Sequence, residues 1–186
     1  MRITCDSDCC MGYIYLQPPR SQDSEKNMTT ISKYVRPENL VIPVRDGNEV
    51  NMKLANIEVS PSTYSQAIAA GEFEEEFHND EDEEGYLYGV EVALTKEEFI
   101  RLVEGKHCRI YNSIFGSKNY HLVTLDTLDK VFGHNNIMYP LTDKRDVFVI
   151  VEINDYHVGL IKGLLSSRQD IYDLDYLSKP EFILYE

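Results

Sequence analysis

Nine carboxylates crowd into the thirteen residues from Glu72 to Glu84 (EFEEEFHNDEDEE), and no Lys or Arg lies among them. A like-charge run this dense resists compaction, so a folded chain has to leave most of it in solvent. The expected structure is an exposed acidic loop over residues 72–84. Outside the tract the charges nearly balance: 32 acids less 9 leaves 23, against 18 Lys plus Arg. The formal net charge of −14 is therefore concentrated in one place. Charge of this kind bears on partners and solubility. The candidate partner-binding residues are Glu72, Phe73, Glu74, Glu75, Glu76, Phe77, Asp80, Glu81, Asp82, Glu83 and Glu84. Phe73 and Phe77, four residues apart, are candidate apolar anchors of the type that dominates interface energy.

The rest of the composition is that of a globular chain. At 186 residues with 42% hydrophobic content, and with thirteen Tyr and seven Phe as bulky core material, it reads as a single domain over 1–186. Within it, residues 1–60 read as a β-meander subdomain. No window of 18 apolar residues occurs, so no membrane helix is expected. The opening MRITCDSDCC lacks the apolar stretch of a secretory signal, which makes the cytoplasm the expected compartment.

Residues 1–17 read as a hairpin, with Asp6-Ser7-Asp8 at the turn and Tyr13-Ile14-Tyr15-Leu16 as the second strand. Residues 20–29 read as a polar loop and 35–44 as an extended edge segment. Asp46-Gly47 signals a further hairpin into 50–59. Ser60-Pro61 marks a helix start, closed by Gly71. Residues 85–94 read as a strand. The capping box Thr95-Lys96-Glu97-Glu98 then opens a helix to Glu104 that buries Phe99, Ile100 and Val103. Residues 107–115 and 119–125 form a hairpin around Gly116-Ser117, which places Asn112 opposite His121. A short helix follows over 126–132. VFVIVEI, within 146–153, is the most apolar strand. Residues 155–165 and 170–177 read as helices and 181–185 as a final strand. Mixed elements without strict alternation predict an α+β fold, a mainly antiparallel sheet with helices packed on it.

The pieces Met1-Arg2-Ile3-Thr4-Cys5-Asp6, Gly12-Tyr13-Ile14-Tyr15-Leu16, Val44-Arg45-Asp46-Gly47 and Ile57-Glu58-Val59 follow one short pattern. In it the first sixty residues resemble a bacterial domain of unknown function built as a β-meander. The resemblance covers about a third of the chain, which departs from it by a polar loop after the second strand. It implies a fold fragment and no activity.

Motifs for chemistry are missing. His107 and His121 sit on two arms of one hairpin with the rings too far apart to act as paired acid and base. His78 and His157 complete the five histidines, His134 in GHNN is a loop residue slightly better placed for ligand contact, and His107 points away from its strand neighbour Cys108. The cysteines Cys5, Cys9, Cys10 and Cys108 lack a knuckle spacing, so a zinc site is not expected and reduced thiols are. Glycine spacings at 85–89 and 159–163 match no phosphate loop. Asp170, Asp173 and Asp175 lack the register of a calcium loop, and helix-N-terminal placement accounts for Asp170 and Asp173. A pI near 4.7 disfavours nucleic acid as a direct partner.

Three classes of function remain. The tract favours an acidic interaction protein that neutralises a basic partner, such as an immunity protein against a nuclease toxin. A nuclease site is basic because it holds phosphates, and a carboxylate strip can occupy it as a decoy. The alternatives are a structural or small-ligand-binding module of a bacterial or phage assembly and, behind it, a small-molecule enzyme. No cofactor is implied.

Overall fold

Turn chemistry sets most of the pairings in this chain, and the pairings make it a β protein. The computed structural model describes residues 1–19, 28–36, 40–47, 49–55, 75–105, 108–115, 117–133, 136–153 and 158–186. In chain order the elements begin with β1 (Arg2–Asp6), β2 (Met11–Tyr15), β3 (Thr29–Val35), β4 (Leu40–Asp46), β5 (Glu49–Ala55), β6 (Glu75–Glu81) and β7 (Leu87–Ala93). Helix α1 (Lys96–Gly105), β8 (Arg109–Phe115), β9 (Lys118–Thr124), helix α2 (Leu128–Val131) and β10 (Asn136–Pro140) follow. The last elements are β11 (Val147–Ile153), β12 (Val158–Ser166), helix α3 (Leu174–Leu177) and β13 (Glu181–Tyr185).

The strands form two sheets. One has six strands in the order β13-β1-β2-β7-β6-β3, and the other seven in the order β10-β11-β12-β9-β8-β4-β5. Only β1 and β13 run parallel; the other ladders are antiparallel. The main core lies between the sheets, where Ile3, Ile14, Val90 and Phe77 meet Ile137, Tyr139, Val149 and Val151. One of the two sheets curls into a half-barrel. A second cluster, including Val44, Leu122, Phe148 and Leu165, lies on the other face of the seven-stranded sheet.

The expected α+β fold, with helices packed on a sheet, is overturned. Thirteen strands stand against three helices among the described residues, and two of those helices are single turns. The decisive segment is Val158–Ser166, a strand where a helix is expected over 155–165. Its residues 161–166 are buried without a break, and a short apolar run of this kind has no periodicity to separate strand from helix. Gly163 belongs in that strand for a packing reason. A Cβ there would stand 3.1 Å from the Val123 carbonyl oxygen and 3.3 Å from Val131.

Several local expectations hold, and others are corrected. Gly47 takes φ +59° at the β4–β5 turn, the conformation that favours glycine. Asn112 pairs with His121, the register expected of this hairpin. The capping box forms: Glu98 Oε2 accepts from the Thr95 backbone N–H at 3.0 Å, and the Glu98 N–H donates to Thr95 Oγ1 at 3.3 Å. Helix α1 buries Phe99 and Leu102 and leaves Ile100 exposed. Only Leu174–Leu177 is helical within 170–177, with the Asp173 carboxylate accepting from the Asp175 and Tyr176 N–H groups. Residues 29–35 form β3 where the polar loop is expected to end. Strands from residues 1–55 are divided between the sheets, β1, β2 and β3 in one and β4 and β5 in the other, so they make no continuous meander. The expected helix from Ser60-Pro61 and the segment Ile57-Glu58-Val59 lie outside the described residues.

Candidate docking face

The acidic tract is a strand over Glu75–Glu81, not a loop. β6 lies between β3 and β7, in register with both, so alternate side chains point to opposite faces. Phe77, Asn79 and Glu81 point to the core; Glu76, His78 and Asp80 point away from it. Phe77 is 5% exposed and packs on Tyr139 with ring centroids 5.5 Å apart, which removes it as an interface anchor. Asn79 is fully buried and donates to the Leu141 carbonyl at 2.6 Å. Glu81 meets Lys33 at 2.8 Å in the interior. Asp82 accepts from the Glu84 and Tyr86 N–H groups and shapes the turn after β6, while Glu83 and Glu84 are exposed. Glu72, Phe73 and Glu74 lie outside the described residues.

The outward residues of the six-stranded sheet form two rows. Ser32, His78, Glu91, Tyr13, Thr4 and Ile183 make one, and Thr30, Asp80, Gly89, Tyr15, Arg2 and Glu181 the other. β2, β6 and β7, three adjacent strands, contain no Lys or Arg. In these two rows Arg2 is the one Lys or Arg, and it is bound to Glu181 at 2.7 Å. Asp80 accepts from the Tyr13 hydroxyl at 2.5 Å and from Thr30 at 2.6 Å; both donors are neutral and bring no charge to offset it. Burial, then the Asp80 hydrogen bond, pushes the Tyr13 phenol well above its usual range.

His78 stands between two carboxylates, 3.3 Å from Glu91 through Nδ1 and 3.3 Å from Glu76 through Nε2. The Glu91 hydrogen bond, with a smaller contribution from Glu76, raises the imidazole pKa. Glu76 is held below the usual carboxylate range, first by a hydrogen bond from Tyr34. Beside this cluster a recess of about 280 Å³ opens at the edge of the sheets. Glu75, Glu76 and Glu91 supply its acid groups, and Phe77, Val151 and Ile161 its apolar wall.

No family model, curated protein or solved structure matches the chain. Its chemistry is therefore to be read from its geometry. Among the described residues no three His, Cys, Asp or Glu side chains gather as metal ligands would. Cys5 is buried, Cys9 and Cys10 are exposed, Cys108 is half-buried, and all four are free thiols. No helix is long and apolar enough to cross a membrane among the described residues. His107, His134 and His157 lie outside those residues. Sequence reasoning missed Glu91, His78 and Tyr13 as members of the face. The period-two pattern of MGYIY and LYGVEVA is their signal, since Ile14, Val90 and Val92 inward require Tyr13 and Glu91 outward.

Proposed function

We propose that this chain is an acidic interaction protein whose six-stranded sheet binds a basic protein, with a nuclease toxin as the partner class that fits best. The observation that carries the reading is the recess beside β6. Its apolar wall suits the methylene stem of a Lys or Arg, and its carboxylates suit the charged head. Around it, Glu76, Asp80 and Glu91 extend a face without Lys or Arg across three strands, with Tyr13 and the 64%-exposed Tyr34 as aromatic contact area. A nuclease cleft is basic by necessity, so such a face acts as a phosphate decoy and steers association. In this role the protein inhibits its partner as an immunity protein does and catalyses nothing. It works in the cytoplasm, beside the nucleic acid that such a toxin cuts.

The test is co-elution with the basic protein encoded next to this chain's gene. Glu75→Gln, Glu76→Gln and Glu91→Gln combined should abolish the complex and leave the fold intact, since Glu81 and Asp82 keep their structural contacts. Raising salt from about 0.05 to about 0.5 M should weaken the wild-type complex. A complex indifferent to both changes removes this face from the interface.

A further inference from the structure

The seven-stranded sheet carries a site of the opposite character. The ladder joining β4 to β8 is two pairs long, Val44 with Ser113 and Arg45 with Asn112. A cleft of about 330 Å³ opens there, walled by β4, the β8–β9 hairpin and Gln169. Register continues the row from Arg45 through Asn112 and His121 to Ser166.

In that row His121 Nδ1, which lines the cleft, is buried without a hydrogen-bond partner among the described residues. Ser166 Oγ, beside His121 in register, is a second. Ser113 Oγ is also buried and unpartnered, but Ser113 pairs with Val44 and Tyr120 and so points to the opposite face of the sheet. Buried polar groups are nearly always paired, because leaving one unpaired carries its full desolvation penalty. Two of them on one face of two paired strands mark a place that a hydrogen-bonding ligand completes. With the Gln169 amide nitrogen donating to His121 Nε2, the ring proton sits on Nδ1, so His121 offers a donor. Burial favours that neutral form by lowering the imidazole pKa.

The charge of the cleft selects the ligand. None of its eight lining residues is Asp or Glu, in a chain with 32 of them. Arg45 is the one charged lining residue and forms no ion pair among the described residues. Asp170, next to Gln169, is already held by Arg168. A planar guanidinium beside neutral donors is matched to an oxyanion.

We propose that this cleft binds a small molecule through a phosphate or carboxylate group, with Arg45 supplying the charge and His121 the buried hydrogen bond. Pro43, Asn112 and Asn119 line the remainder of the cleft. Because the site is on the other sheet, it stands or falls independently of the docking face.

The test is a ¹H–¹⁵N NMR titration of the whole chain with inorganic phosphate, with acetate, and with chloride at matched ionic strength. Phosphate or acetate should move the amides of Arg45, Asn112, Ser113 and His121 saturably, with a Kd of about 1 mM or tighter, and chloride should not. A response to phosphate alone assigns a phosphate ester; a response to acetate alone assigns a carboxylate. Arg45→Gln, at an exposed position, should weaken binding about tenfold or more with an unchanged unfolding midpoint. Failure of both anions to move these amides saturably, or equal affinity in Arg45→Gln, overturns the proposal.

Discussion

Lys33 and Glu81 meet at 2.8 Å in the interior, with side chains only 11% and 9% exposed. One end of the acidic tract is thus neutralised from inside the protein, by a cation from the strand paired with it. The other contact of Lys33, Asp143 at 3.4 Å, is almost fully in solvent and adds little.

Breaking this pair on one side leaves a buried charge without a partner. Lys33→Met is expected to destabilise the protein by about 3–5 kcal/mol in urea unfolding. Adding Glu81→Leu should recover most of that loss, because an apolar pair of similar volume is often neutral or better. A single Lys33→Met within about 0.5 kcal/mol of wild type contradicts the burial of Glu81.

Gly89 makes room for the ring that organises the outer face. A Cβ at Gly89 would lie 2.2 Å from Tyr13 Cε1, so the ring would have to shift and loosen its hydrogen bond to Asp80. Gly89→Ala should cost about 1–3 kcal/mol in the wild-type background. In a Tyr13→Ala background the same change should cost close to nothing, a coupling that a double-mutant cycle reads directly. Equal costs in both backgrounds contradict the contact.

His78 gives the face a pH dependence of defined sign. Its folded pKa is raised by Glu91 and Glu76, so the protonated ring is the stabilised form. Its contribution is fully present below the ordinary value of 6.5 and is lost as pH rises through the raised folded value. The difference in unfolding midpoint between wild type and His78→Gln should be largest near pH 5.5 and shrink as pH rises above neutrality. NMR titration should place the His78 transition above 6.5. A transition below it refutes the arrangement.

What the sequence made legible were the local devices. Thr95 and Glu98 close their capping box, and β8 pairs with β9 so that Asn112 stands opposite His121. Both depend on residues a few positions apart. β6 was illegible because its inward residues include Asn79 and Glu81, and polar groups on the core side erase the apolar alternation that marks a strand. Their partners are Leu141, 62 residues from Asn79, and Lys33, on the far side of the undescribed stretch 56–74. Pairing at that distance is a tertiary fact. The fold class failed for the related reason that Val158–Ser166 is buried without a break over 161–166 and shows no face there. The cleft at Arg45 and His121 depends on β4 joining β8, a crossover invisible in local pattern.

The docking face is tested most directly by its own potential, which needs no partner. Relaxation of backbone amide protons by a cationic and by an anionic nitroxide cosolute reports the local field residue by residue. The expected result is strong preferential relaxation by the cation at Glu76, His78 and Glu91, reduced in Glu76→Gln/Glu91→Gln. Equal relaxation by the two cosolutes along β6 and β7 contradicts a cation-seeking surface on this sheet.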